Sequence, residues 1–165
     1  MTSSFSIRDG VDADLAGIVN LNDSEIPHVT AIMVEALKAL TDQAFYFQIA
    51  ESHAGDIIGF VLALAESATY RSLNFHWFKA RYPRFVYIDR IVVSRPRHRT
   101  GAGKLLYADL FEKAQNRTPL LTCEVNIRPP NPGSVEFHQR LGFQQVGTQE
   151  TEGGKKTASL LVKPL

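Results

Sequence analysis

Cysteine is nearly absent: Cys123 is the only one in 165 residues. A single thiol excludes an intrachain disulfide, and with it the small secreted folds that depend on crosslinks. Net charge is nearly absent too, at +1 from 18 basic and 17 acidic residues. A chain so balanced exerts no general pull on nucleic acid or anionic membranes. No run approaches the ~20 apolar residues of a membrane span. The opening Met1-Thr2-Ser3-Ser4-Phe5 lacks the charged-then-apolar order of a leader, so a cytoplasmic location is the expectation. No internal repeat or low-complexity tract is present. What is there is an apolar fraction of 44%, which suits one domain over residues 1–165 that buries roughly 70% of the unfolded chain's surface.

The apolar periods give the elements in order. Phe5-Ser6-Ile7-Arg8 alternates as a short strand, and Asp12-Ala13-Asp14 offers a cap for a helix carrying Leu15, Ile18, Val19 and Leu21. Pro27 interrupts it, and a second helix is expected from near Thr30 to Thr41. Strands over 45–51 and 57–64 form a hairpin around Ser52-His53-Ala54-Gly55-Asp56, which makes His53 an exposed turn residue. A strand over 85–94, a helix over 101–116, a strand over 120–125, a helix over 134–141 and a hairpin over 145–162 turning at Gly153-Gly154 complete the chain. Strands and helices in this alternation make an α/β sheet of mixed direction.

Two segments resist that reading or exceed it. Residues 68–84 fit neither period, yet hold Tyr70, Phe75, His76, Trp77, Phe78 and Tyr82 among Arg71, Lys79, Arg81 and Arg84. The rings are expected either to wall a pocket or to pack as a surface loop or dimer contact. The strand ending Ile91-Val92-Val93 then runs through Ser94-Arg95-Pro96-Arg97-His98-Arg99-Thr100-Gly101-Ala102-Gly103-Lys104 into a helix. Glycines at 101 and 103 remove Cβ atoms from the path of a ligand, and the helix start presents unpaired N–H groups and partial positive charge. Arg95, Arg97, Arg99 and Lys104 add cations, so the ligand of this loop is a polyanion. It is not a Walker A loop, which needs glycine at His98 and a hydroxyl at Leu105, nor a dinucleotide fingerprint, which needs glycine at Leu106.

The loop instead resembles motif A of the GNAT superfamily of N-acetyltransferases: a strand ending in valine, then Gln or Arg, two residues, Gly, one residue, and Gly or Ala. His98 stands where the family has Gln or Arg. The segment Asn131-Pro132-Gly133-Ser134-Val135-Glu136-Phe137-His138-Gln139-Arg140-Leu141-Gly142-Phe143 resembles the family's motif B, with histidine at position 138 where many members have tyrosine. The resemblance covers residues 56–150. It implies a mixed, mostly antiparallel sheet of six to seven strands with flanking helices, splayed between the motif A strand and the strand that follows. It further implies acetyl-CoA as co-substrate, direct attack by a primary amine in a ternary complex, and no metal.

Mapped onto this chain, the resemblance gives the cofactor side to Ile91, Val92 and Val93 by main-chain hydrogen bonds. The pyrophosphate falls to Arg97, His98, Arg99, Thr100, Gly101, Ala102, Gly103 and Lys104, and the pantetheine amides to Asn126 and Asn131. Ser134, Phe137 and His138 complete the cofactor wall. For the chemistry, Asp89 and Glu124 are candidate bases, each with an ion pair to Arg90 or Arg128 as the alternative. His138, with an ordinary pKa near ~6.5, is the candidate acid for the leaving thiolate. By strand alternation Asp89 shares a face with Tyr87 and Ile91. Cys123, inside the run Leu120-Leu121-Thr122-Cys123, reads as core rather than nucleophile. In the family the first helical pair borders the acceptor site, which leaves Asn22, Asp23, Ser24 and Glu25 as either amine contacts or a polar connection. Three classes remain open: the N-acetyltransferase, a non-catalytic acyl-CoA-binding module, and a nucleic-acid binder using the arginine loop. The acceptor amine is not identified, and a homodimer is compatible with the exposed rings.

Overall fold

A computed structural model describes residues 4–165; Met1, Thr2 and Ser3, part of the stretch read for a leader, lie outside it. The strands are β1 (Phe5–Asp9), β2 (Tyr46–Ser52), β3 (Ile57–Ala65), β4 (Val86–Val93), β5 (Leu120–Arg128), β6 (Gln144–Thr151) and β7 (Lys156–Pro164). The helices are α1 (Leu15–Asp23), α2 (Val34–Thr41), α3 (Leu73–Lys79), α4 (Ala102–Ala114) and α5 (Pro132–Arg140). One sheet holds all seven strands in the order β1-β2-β3-β4-β5-β7-β6. Every neighbouring pair is antiparallel except β4 and β5.

The parallel pair requires a crossover connection. α4 lies between β4 and β5 in sequence, and a helical crossover returns the chain in the direction it left. The pairing is short: only Val86 with Leu121 and Tyr87 with Thr122 are joined before the strands part. From Ile88 onward the edge of β4 that faces β5 has no partner strand among the described residues.

Each face of the sheet carries its own core. On one, Leu106, Tyr107 and Leu110 of α4 pack with Val61, Ala63, Val86 and Ile88. On the other, Leu15 and Ile18 of α1, Leu37 and Leu40 of α2, and Phe75 and Phe78 of α3 cover Phe60, Leu62, Leu64 and Tyr87. The alternation of β4 between these faces is broken at one place. Leu62 pairs with Arg90 but Ala63 pairs with Ile88, so Asp89 is an extra residue, a β-bulge. Ile91 therefore joins the α4 face while Tyr87 joins the other, which corrects the expectation that Tyr87, Asp89 and Ile91 share a face.

Two elements differ from the sequence expectation. The second helix begins at Val34, not near Thr30. A helix from Thr30 needs that residue's carbonyl for the N–H of Val34, but the carbonyl accepts instead from Asn22 Nδ2 at 3.0 Å and Arg90 Nη1 at 3.1 Å. Segment 68–84 contains α3, opened by the Ser72 hydroxyl oxygen accepting the Phe75 N–H at 3.2 Å. Its period was masked because rings occupy several faces of a two-turn helix. Phe75 and Phe78 point into the core against Phe85 and Tyr87, with centroids 5.5–6.3 Å apart. Trp77 lies on the other side of the helix, under the Arg81 guanidinium at 3.7 Å and over Gly147 of β6. Thus most of these rings pack the core, and only the N-terminal part of the segment reaches the cavity described below.

The buried face of α3 is expected to carry its stability contribution alone. Phe78→Ala should cost about 3–5 kcal/mol in denaturant unfolding, and Leu73→Ala, at an exposed position, less than about 0.5 kcal/mol; equal costs would refute this placement of the helix.

Candidate active site

Where β4 and β5 separate, the sheet opens into a cavity of about 1780 Å³. It runs from the loop after β4, along the unpaired edge of that strand, to the α1–α2 connection and the first residues of α3. Ile91, Val92 and Val93 line it. Their other edge is satisfied by β3, with Val92 opposite Phe60 and Val93 opposite Gly59, so this edge keeps its backbone groups available.

The loop is built to leave cations and N–H groups unused. Gly101 caps α4 with φ +91°, a conformation that costs a residue with a Cβ. A Cβ at Gly103 would stand 3.2 Å from the Phe137 ring, so this glycine also admits α5. Arg97, Arg99 and Lys104 line the cavity and make no ion pair among the described residues. The exceptions are instructive. His98 Nε2 donates to the Val93 carbonyl at 2.8 Å, which leaves a neutral imidazole no N–H for phosphate. Thr100, expected at the cofactor, does not line the cavity; its hydroxyl donates to the Arg97 carbonyl at 2.6 Å. Both side chains shape the loop.

Beyond the split stand two carboxylates with different surroundings. Asp89 is fully engaged: one oxygen accepts from the Tyr70 hydroxyl at 2.6 Å and the other from Arg90 Nε at 2.8 Å. Glu124, on β5, has no cation partner among the described residues; the Tyr87 hydroxyl lies 2.6 and 2.7 Å from its two oxygens. Burial pushes the Glu124 carboxyl up to about 7, against the Tyr87 hydrogen bond that lowers it, and the nearby Asp89 raises it further. Neither carboxylate pairs with Arg128, which reaches Glu150. Glu124 is therefore the carboxylate lining the cavity that has no cation partner among the described residues, poised to change protonation near neutrality.

On the opposite wall, Asn131 caps α5 without using its side chain on the helix, and Asn126 projects from β5 beside it. Phe137 stacks on Tyr107 with centroids 5.7 Å apart and planes 15° from parallel. His138 is 3% exposed. Its Nδ1 lies 2.8 Å from the Ser134 carbonyl, an acceptor only, so that nitrogen carries the proton; Nε2 then accepts from the Tyr107 hydroxyl at 2.7 Å. Burial lowers the His138 pKa, favouring this neutral form. The sequence placed His138 as a proton donor to sulfur, but its one N–H is held by Ser134 and the ring fastens Tyr107 instead. Cys123 is buried and its thiol pushed up by burial, which suits a core residue and not a nucleophile.

The structure thus brings Asp89, Glu124, Asn126, Asn131, Phe137 and His138 around one cavity with the loop at its end. Tyr70 was among the rings offered as a pocket wall and does line the cavity; sequence reasoning missed Asn74 and Tyr107 in the lining and Tyr87, whose hydroxyl holds Glu124. Tyr87 was within reach of the pattern, because it precedes Asp89 by two on an identified strand. Tyr107 was not, since it lies in the apolar stripe of α4 and reads as core. Asn22 and Glu25, candidates for amine contact, are both buried and committed to Arg90 and Arg95.

Comparison with known proteins gives this geometry its place. The pattern of the Acetyltransferase (GNAT) family matches residues 17–143. The chain is 29% identical over 158 residues, 92% of its length and 87% of the relative's, to the L-methionine sulfoximine/L-methionine sulfone acetyltransferase of Pseudomonas aeruginosa. Among solved structures, Ard1 from Thermoplasma volcanium superposes with a TM-score of 0.79 at 16% identity, covering 98% of both chains. A phosphinothricin acetyltransferase from Sinorhizobium meliloti, in complex with AcCoA, superposes at 0.71 with 21% identity, covering 98% of this chain and 89% of that one. With the sheet splayed after two residue pairs, a glycine loop at a helix start and the family pattern spanning most of its length, this chain belongs to the GNAT family of acetyltransferases.

Proposed function

We propose that the protein transfers an acetyl group from acetyl-CoA to a primary amine by direct attack in a ternary complex. The observation that carries the reading is one cavity continuous from the free cations of the loop, past the unpaired edge of β4, to the uncompensated Glu124. Arg97, Arg99, Lys104 and the N–H groups at the start of α4 suit a pyrophosphate. Main-chain groups of Ile91 to Val93 suit the pantetheine arm and an N–H near the thioester oxygen. Asn126 and Asn131 suit its amides.

In this reading the acceptor arrives as an ammonium, and Glu124 takes one proton from it through water. The amine nitrogen then bonds to the thioester carbon. As the carbon–sulfur bond breaks, the second proton on nitrogen passes to the departing sulfur, giving amide and free thiol. The proton on Glu124 returns to solvent. No acetyl-enzyme forms, in keeping with the inert Cys123. A second proposal concerns the acceptor. The curated relatives are named for L-methionine sulfoximine and L-methionine sulfone, and a small amino acid suits this cavity too. Its ammonium would face Glu124, and Arg71, which lines the same space without an ion pair among the described residues, would meet its carboxylate.

The direct test is thiol release from acetyl-CoA on addition of an amine panel headed by L-methionine sulfoximine. Release with at least one amine is expected; tight acetyl-CoA binding with no release across the panel would make the protein a binding module. The base assignment predicts a pH profile. Glu124 must be deprotonated to act, so kcat/KM should rise with pH through about 7. Glu124→Gln should lower the rate by about 10²-fold and flatten that limb; an unchanged limb would move the base elsewhere. For His138, a fastening role predicts that His138→Gln, which still accepts from Tyr107, keeps kcat within a few fold, while His138→Ala costs about 2 kcal/mol of stability. A loss of about 10²-fold in kcat in a folded Gln variant would return the acid role to His138.

A further inference from the structure

The connection between α1 and α2, residues 24–33, has neither helix nor strand, yet Glu25, His28, Val29, Thr30, Ala31 and Ile32 all line the cavity. Two arginines tie it down, and both come from the strand and loop that make up the opposite, cofactor side. Arg90 of β4 has a side chain only 8% exposed. Its Nε is bonded to Asp89, and its Nη1 donates to Asn22 Oδ1 at 3.0 Å and to the Thr30 carbonyl at 3.1 Å. Asn22, fully buried, donates to the same carbonyl at 3.0 Å. Thr30 is thereby held by two donors.

The second tie is Arg95, in the loop after β4, whose Nε lies 3.3 Å from Glu25 Oε1. The carboxylate is buried and the guanidinium is 66% exposed. Among the loop cations Arg95 is the one whose charge is already engaged; Arg97, Arg99 and Lys104 make no ion pair among the described residues. The bulge at Asp89 explains why Arg90 can serve this purpose. With an extra residue in β4, Arg90 falls opposite Leu62 and so projects to the face that α1 and α2 cover. A regular strand would have sent it to the α4 face instead.

We propose that Arg90 and Arg95 are positioning residues that hold segment 24–33 against the cavity, so that the strand and loop serving acetyl-CoA also set the wall that meets the acceptor. The proposal rests on the transferase reading only in naming that wall's ligand as the acceptor. Arg95 is then assigned to the acceptor side and not to the phosphates, although it stands in a run of phosphate-binding cations.

The test reads the segment directly, by amide hydrogen exchange over residues 24–33, together with acetyl-CoA affinity by calorimetry and the KM for L-methionine sulfoximine as probe. Arg95→Ala and Glu25→Gln should each speed exchange in 24–33 by about threefold or more, as loss of a partly exposed ion pair allows. Acetyl-CoA Kd should stay within about twofold, and the exchanged pair Arg95→Glu with Glu25→Arg should restore slow exchange. Arg90→Lys keeps a cation beside Asp89 but loses the fork to Asn22 and Thr30, so it should speed exchange by about tenfold and raise the probe's KM more than it lowers kcat. Unchanged exchange in the Arg95 and Glu25 variants overturns the proposal. So does a tenfold loss of acetyl-CoA affinity in Arg95→Ala with exchange unaltered, which would make Arg95 a phosphate ligand. If no amine is turned over, the transferase reading fails while the exchange result still decides this one.

Discussion

The parting of β4 from β5 is the constraint on which the rest depends. Two parallel strands joined at Val86–Leu121 and Tyr87–Thr122 and nowhere further leave one edge of a central strand without hydrogen bonds, in the middle of a seven-stranded sheet. Unpaired buried backbone groups cost free energy comparable to a lost hydrogen bond, so such an edge persists only if something else is there to satisfy it. α4 and α5 keep the gap open from one side. The stacked rings of Phe111, Tyr107 and Phe137 set the spacing of those helices, and His138 fixes the Tyr107 hydroxyl between them. Water or an extended ligand with amide groups of its own completes the edge.

The charges around the gap are divided between those already engaged and those left free. Asp89 is neutralised by Arg90 and Glu25 by Arg95. These pairs fix the geometry of loops. What stays unpaired is Arg97, Arg99 and Lys104 at the loop end and, toward the start of α3 and β5, Arg71 and Glu124. A carboxylate buried without a cation is costly, and here the cost is expressed as a carboxyl raised to about 7. The same burial that would count against stability gives a group able to exchange protons at neutral pH. An anion at the loop end and a cation beside Glu124 would each meet a complementary charge that has no ion-pair partner among the described residues.

The bulge at Asp89 joins these two themes. It lies two residues beyond Tyr87, the last position at which β4 pairs with β5, and it turns Arg90 from the α4 face to the α1–α2 face. Without that single extra residue the arginine would project to the α4 face, the buried Asn22 Oδ1 would lose its donor, and the Thr30 carbonyl would keep only the bond from Asn22. A local irregularity in one strand thereby reaches the shape of a connection some sixty residues away in sequence, because the sheet passes a change of register on to whatever packs against its face.

The sequence by itself determined the order of most elements, the glycine loop with its cations, and a helix expected over 134–141 that the structure shows over Pro132–Arg140. All of these are written in local signals: apolar periods, positive-φ glycines and capping residues act over a few neighbours and survive in any context. It also implied a sheet of mixed direction, but which pair is parallel was settled by how the helices pack: α4 crosses between parallel β4 and β5, whereas α3 also lies between neighbours and β3 and β4 are antiparallel. It did not reveal α3, whose rings hide its period, nor the bulge, because no residue type marks an extra position in a strand of alternating apolar side chains. The fates of the histidine and of Glu124 were decided by tertiary structure. Asp89 is engaged by its sequence neighbour Arg90, the ion pair the sequence offered as the alternative, whereas Glu124 is left uncompensated beneath Tyr87, a partner brought from another strand. His138 reads as a proton donor from its place in a motif, yet it is a fastener in the fold because Ser134 and Tyr107 take both ring nitrogens. Protonation states belong to environments, and environments form only when the strands and helices have packed.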